Sequence, residues 1–275
     1  MTPIPFFKMS GSGNDFIIID NREAIVPEDR LNELVVGACR RKLSVGADGM
    51  ILIEASQQVD FKWRFYNADG SLPEMCGNGA RCAARFAFIH GIARRRMAFE
   101  TVAGIIEAEV AGTSVSIRMT DPKDLHTGLS LDLGGAPVAV ASINTGVPHV
   151  VMMVSDIEAV DVVATGRKIR QHSAFAPAGT NVNFVKVAPE GDIFIRTYER
   201  GVEEETLACG TGNVAAALIL AHELGMTSPV ILTTRGGGTL SVHFNRRGDR
   251  FQDVRLAGDA RVVYSGALWE EAWQR

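Results

Sequence analysis

The chain has 275 residues, 46% apolar and 22% charged, with a formal net charge of −4. Such a chain can bury a substantial core as one large domain or two smaller ones, and its mild acidity supplies no general basic field for nucleic acid or an anionic membrane. No apolar stretch approaches the ~18 residues that span a bilayer, and the opening MTPIPFFKMS lacks a basic start and long apolar core, so the expected setting is cytoplasmic.

In chain order the first half reads mostly as strands. DFIIID, MILIEA, DFKWRFYN, MAFETVAG, IIEAEVAG and SVSIRM alternate or run apolar between Gly, Asn and Asp punctuation. Helical spacing appears at 32–41 and 78–90, the second stopped by Gly91. Arg94-Arg95-Arg96 follows that helix and reads as solvated surface. The second half continues with VAVASINTG, HVVMMV, NVNFVKV, DIFIRTYE, VILTTRGG and TLSVHF, and with helices at 157–171 and 212–224, the latter stopped by Gly225. Gly236-Gly237-Gly238 lies between strand-like runs and reads as a hairpin turn rather than a phosphate loop.

The halves share one pattern. Cys209 lies 133 positions after Cys76, and the same offset carries Gly77 to Gly210, Gly79 to Gly212, Ala83-Ala84 to Ala216-Ala217, Thr101 to Thr234 and Gly104 to Gly237. That period is far too long for a solenoid. It predicts an α+β protein of two pseudo-symmetric, strand-rich lobes, each around a long central helix. The expected boundaries are 1–121 for the first lobe, with 263–275 packing back on it, and 122–262 for the second.

The chain has four cysteines, and in a reducing compartment they are free thiols first. Cys76 and Cys82 are separated by five residues, a spacing that suits neither a zinc ribbon nor a thioredoxin-like pair. No metal site is therefore expected. Cys39, in VVGACRRK, reads as an inert apolar side chain.

Cys76 and Cys209 differ from the others because each stands directly before glycines and a helical run. The first N–H groups of a helix lack partners within it, and with the macrodipole they act as roughly half a positive charge. A thiol there is expected to be more acidic, and a carboxylate can rest on the same N–H groups. Two such devices suit inversion of a stereocentre: one thiolate removes an α-proton, and the opposite thiol supplies one to the other face. The N–H groups would stabilise charge developing on the carboxylate. A lone Cys-Gly-x-Gly is more often a turn with a buried thiol, and duplication would copy a structural cysteine too, so these residues alone leave both readings open.

The wording around the cysteines goes further. NADGSLPEMCGNGARC and ERGVEEETLACGTGNVAAA, with GSGNDFIIID near the start, closely resemble the diaminopimelate epimerase family, over about Lys8 to Gly266. The resemblance implies two lobes with the active site in the cleft between them, no pyridoxal phosphate, no metal and no other cofactor. It implies interconversion of LL- and meso-2,6-diaminopimelate, for lysine and peptidoglycan precursors. Cys76 and Cys209 match the acid–base cysteines, and Gly77-Asn78 and Gly210-Thr211 match the carboxylate-binding helix starts. Asn14, Asn67 and Asn181 match substrate-binding amides, and Glu199-Arg200 match the pair that grips the distal amino acid group. His149 and Glu199 match residues that tune the cysteines. Tyr264 matches a residue linked to dimerisation in some members, which makes a homodimer the assembly to test. Two positions depart from the pattern: Gly49 stands where some members have a substrate-contacting glutamine, and Val147 where some have asparagine.

A proline or hydroxyproline racemase would share the two cysteines but would not need the Glu199-Arg200 grip. A phenazine-biosynthesis-like isomerase would lack the cysteine pair. A thiol redox or metal-handling protein would make Cys82 as important as Cys76, and a non-catalytic amino-acid binder would keep binding without either thiol.

Overall fold

The computed structural model describes residues 2–73 and 75–274. Met1 and Arg275, the ends of the two segments expected to form the first lobe, lie outside the described residues, as does Glu74 of the first cysteine motif. The chain divides into two compact units, one of Met1–Ile117 with Gly258–Arg275 and one of Arg118–Ala257.

Along the first unit run β1 (Ile4–Gly11), β2 (Asn14–Asp20), α1 (Leu31–Ala38), β3 (Gly49–Glu54), β4 (Phe61–Asn67), α2 (Gly77–Ile89), β5 (Arg96–Thr101), β6 (Gly104–Ala111) and β7 (Ser114–Arg118). Then come β8 (Lys123–Leu131), β9 (Val138–Asn144), β10 (Pro148–Met153), α3 (Val162–Arg170), β11 (Asn181–Val187), β12 (Ile193–Glu199), β13 (Glu204–Thr206), α4 (Gly210–Glu223), β14 (Val230–Thr234), β15 (Thr239–Arg247) and β16 (Arg250–Asp259). The last strand, β17 (Arg261–Leu268), returns to the first unit and pairs with β1.

The duplication seen as a sequence offset is a duplication of topology. In the first unit the strand order is β17-β1-β2-β3-β4-β5-β6-β7, with successive pairings antiparallel, antiparallel, parallel, antiparallel, parallel, antiparallel and antiparallel. In the second it is β8-β9-β10-β11-β12-β14-β15-β16, with the same succession of senses. A parallel pair needs a crossover connection. The helices supply it at matching places: α1 and α3 in the first crossover of each unit, α2 and α4 in the second. The short β13, paired with β12, is an addition in the second unit.

The central helices are α2 and α4. All residues from Gly212 to Ala221 are buried, as a helix apolar or small on every side should be. Strands β9, β10, β11, β12, β14 and β15 pack around it. Helix α2 contacts β1, β2, β3 and β6, and buries Asn78 through Ala84 together with Phe86 and Ala87. Gly91 and Gly225 follow the two helices with φ of +66° and +69°, the left-handed turn that favours glycine.

Helices α1 and α3 cover the other face of their sheets. Ile17, Ile19, Met50 and Leu52 meet Leu31, Leu34, Val35 and Ala38 in a second core that also contains Trp273. Phe16, Ile18, Ile51 and Ile53 on the alternate positions are buried too. Burial on both faces is why these strands read as unbroken apolar runs. In the second unit Val150, Val182, Phe184 and Tyr198 meet Val162 and Ile169 in the same way. Here the structure shortens the expected helix 157–171: α3 begins after Asp161, whose carboxylate accepts the Ala164 N–H at 2.9 Å. That acidic cap starts the helix, and the apolar residues before it pack without helical structure.

Candidate active site

In the first unit, Cys76 is the N-cap residue of α2, with φ −142° and ψ 112°, and its Sγ accepts the Gly79 N–H at 3.4 Å. The next turn is held by a partly buried network. Asn78 Nδ2 donates to Asn14 Oδ1 at 2.7 Å, and Asn14 Nδ2 donates to Asp48 Oδ2 at 2.9 Å. Asn78 Oδ1 accepts from Arg81 Nη2 at 2.7 Å, and that nitrogen also donates to Ser12 Oγ at 2.7 Å. Ser12 in turn donates through its N–H and Oγ to Asp259 Oδ1. Arg81 is fully buried, and that burial lowers its pKa from the usual guanidinium value. Sequence reading missed Arg81. Its signal was one cation among alanines on a helix otherwise free of charge in its first two turns. Asn67 closes β4 and donates to Ser71 Oγ at 2.9 Å.

In the second unit, Cys209 caps α4 with φ −118° and ψ 113°, and its Sγ lies 3.6 Å from Thr211 Oγ1. Asn213 Nδ2 donates to the Cys209 carbonyl at 2.8 Å, and Thr145 Oγ1 to the Thr211 carbonyl at 3.1 Å. Asn181 Oδ1 accepts the Arg200 N–H at 2.9 Å, and Arg200 Nη1 donates to the Ala178 carbonyl at 3.0 Å. His149 is fully buried beside Asn183.

The electrostatics reverse one expectation. Burial pushes the Cys209 thiol up to about 12, and the nearby Glu199 carboxylate adds to the rise. The Thr211 hydroxyl and the amides of Gly212 and Thr211 favour the thiolate, but they do not overcome desolvation. Burial also raises the Glu199 carboxyl above its ordinary value. His149 is pushed down to about 3 by burial and by the charge of Arg200, so its ring is neutral. Cys39 and Cys82, both buried, also rise to about 12.

A side chain at position 49 has no room in this structure. A Cβ on Gly49 would stand 2.5 Å from the Tyr66 carbonyl oxygen and 2.6 Å from the Phe65 ring. Val147 sits in a turn where Asn144 Oδ1 accepts the Gly146 N–H at 3.0 Å. Tyr264 lies outside these networks, on β17, with its ring edge-to-face against Phe6 at 5.9 Å. Val262, Val263 and Tyr264 are exposed there.

The architecture is one found in isomerases and biosynthetic proteins that share little sequence with this chain. A PhzF-family phenazine biosynthesis protein from Bacillus anthracis superposes with a TM-score of 0.75 at 15% identity, over 98% of this chain and 100% of that one. A probable proline racemase from Agrobacterium radiobacter K84 gives 0.67 at 14% identity, over 97% and 93%. Sequence narrows this fold to one branch. The family model for diaminopimelate epimerase matches residues 6–125 and 141–262. The diaminopimelate epimerase of Aquifex aeolicus is 46% identical over 97% of this chain and 98% of its own length. That of Chlorobaculum tepidum is 42% identical over 94% and 99%. The chain belongs to the diaminopimelate epimerase family.

Proposed function

We propose that the protein interconverts LL- and meso-2,6-diaminopimelate by proton transfer between two cysteines, in the supply of lysine and peptidoglycan precursors. The observation that carries the reading is the pair of cysteine N-caps, Cys76 and Cys209, at matching places in two units of the same topology. The chain itself supplies acid and base, so the reaction needs no pyridoxal phosphate and no metal. In one direction one of the two thiols is the base and the other, still protonated, is the acid. The reverse direction starts from the opposite protonation state.

The remaining groups have consistent roles in this reading. The backbone amides at Gly77-Asn78 and Gly210-Thr211 receive the α-carboxylate. Asn14, Asn67 and Asn181 position polar groups of the substrate. Glu199 meets the distal ammonium, and Arg200 holds the distal carboxylate with its two-pronged guanidinium. His149 and Glu199 tune the thiol beside them. Among the described residues no helix is long and apolar enough to cross a membrane, which accords with a cytoplasmic enzyme. The exposed Val262, Val263 and Tyr264 on β17 are the surface we assign to a homodimer.

Incubation with LL-diaminopimelate in deuterated water tests the activity. The expected result is meso product carrying deuterium at the inverted α-carbon, with L-proline unchanged. Deuterium in proline and none in diaminopimelate would transfer the protein to the racemase reading.

A further inference from the structure

The two units carry different residues at matched positions of the same topology. Phe16 pairs in register with Gly49, and His149 pairs with Asn181, which makes Phe16 and His149 equivalent. Ile51 pairs with Phe65, and Asn183 pairs with Thr197. Ile51 faces Gly79 of α2, and Asn183 faces Gly212 of α4, so these positions too correspond. The first unit fills the three positions with Phe16, Ile51 and Phe65, the second with His149, Asn183 and Thr197, and all six are buried. An apolar trio therefore suffices to build this part of the fold. The polar trio of the second unit has another use.

We propose that Asn183 is a positioning residue of the Cys209 half-site: it holds His149 in the tautomer protonated on Nε2, keeping one fixed hydrogen-bond donor for the reaction. The inference rests on the epimerase reading for its catalytic part and on hydrogen-bond logic for the rest. Asn183 Nδ2 donates to the Val150 carbonyl at 2.9 Å. A carbonyl only accepts, so the amide nitrogen, not the amide oxygen, occupies that side. Asn183 Oδ1 is left to accept the Thr197 hydroxyl at 3.0 Å. The same Nδ2 lies 3.2 Å from His149 Nδ1. An amide nitrogen cannot accept, so Nδ1 must present its lone pair, and the neutral ring carries its proton on Nε2.

His149 Nε2 is buried and has no hydrogen-bond partner among the described residues. A buried donor left unsatisfied is costly, and such a group in a native structure calls for an explanation. The low pKa of His149, about 3, means that the ring stays neutral and the donor does not become a general acid at neutral pH. Asn183 Oδ1 also reaches the first turn of α4: a Cβ on Gly212 would meet it at 2.3 Å and Cys209 Cβ at 3.3 Å. The trio thus packs directly against the turn that carries the thiol.

Ring-nitrogen chemical shifts of protein made with ¹⁵N-histidine test the tautomer, with the His149 signals assigned by their loss in His149→Phe. The expected pattern is a pyridine-type Nδ1 and a pyrrole-type Nε2. The reverse pattern, or a mixture, overturns the proposal. The kinetic arm is a double-mutant cycle. Asn183→Ala should lower kcat with diaminopimelate at least ~10-fold with KM within about 2-fold, and should add less than about 2-fold in the His149→Phe background. Equal losses in both backgrounds would mean that Asn183 does not act through His149. The spectroscopic arm needs no substrate. A protein inactive on diaminopimelate but showing the Nε2–H tautomer would sink the assigned reaction and leave the hydrogen-bond assignment standing.

Discussion

Asn78 donates to Asn14 through side-chain amides 2.7 Å apart, so the first turn of α2 and the start of β2 are tied into one piece. Arg81 grips the other end of the Asn78 amide and Ser12 as well. Substituting Arg81 by methionine keeps the bulk but leaves Asn78 Oδ1 and Ser12 without their donor. The expected cost is about 3 kcal/mol of unfolding free energy, read from urea denaturation. Activity should fall even at temperatures where the variant remains folded, because the turn after Cys76 is released. Unchanged stability would show that this network is not what fixes the turn.

The cysteines should separate cleanly by role. In the proposed mechanism each thiol serves one face of the carbon and neither can replace the other, so Cys76→Ala and Cys209→Ala should abolish epimerisation. Serine at either position is a far weaker acid and should slow turnover by roughly three orders of magnitude or more. Cys82 is fully buried within the body of α2, and Cys82→Ala should retain most of the activity. A Cys82→Ala variant as inactive as Cys76→Ala, yet fully folded by circular dichroism, would argue against the two-thiol mechanism.

Three buried thiols make the fold sensitive to alkali. Cys39, Cys82 and Cys209 each have a pKa raised to about 12 by burial, against about 8.5 in an unfolded chain. A thiol whose pKa rises on folding holds its proton more tightly in the native state. The stability this contributes is complete below pH ~8.5 and drains away as pH climbs toward 12. Within that window each thiol makes unfolding easier by about 1.4 kcal/mol per pH unit. Denaturation midpoints measured from pH 8 to 11 should fall with pH, and Cys82→Ala should fall less steeply. Identical slopes would show that Cys82 ionises no differently in the folded protein.

Restoring the glutamine that some family members carry at position 49 should not restore a contact. Gly49→Gln would drive its Cβ against the Tyr66 carbonyl and the Phe65 ring. Overpacking of this kind costs about 1–3 kcal/mol, so the melting temperature should drop with no gain in kcat/KM for diaminopimelate. Pairing the change with Phe65→Ala opens the space the ring occupies. Should the double variant regain stability and bind substrate more tightly, the steric account of Gly49 would be strengthened; a stable single variant would end it.

Distal recognition has its own check. Arg200→Lys keeps the charge and loses the planar fork, which is not a conservative change at a carboxylate-binding site. The expected loss in kcat/KM is at least ~10-fold, by steady-state kinetics. Unaltered kinetics would remove Arg200 from substrate binding.

Much of this protein was legible in its sequence because the relevant physics is local. The glycines after Cys76 and Cys209, the alanine runs behind them and the stops at Gly91 and Gly225 act through contacts within a helical turn or two. Those signals located α2 and α4 to within two residues at each end. Apolar runs such as DFIIID marked strands buried on both faces. The repeat at a fixed offset foretold that whatever one half built, the other would build again. The order and sense of the strands came only with the tertiary structure, since pairing joins segments that no local pattern links. The start of α3 followed from one capping carboxylate rather than from periodicity. Arg81 and Asn183 became visible only when their partners, distant along the chain, were brought to them. The state of Cys209 is the clearest case. Its helix start favours the thiolate and can be read from the neighbouring residues. Desolvation favours the thiol and is a sum over everything folded around the sulfur. Here the sum is larger, and no stretch of sequence contains it.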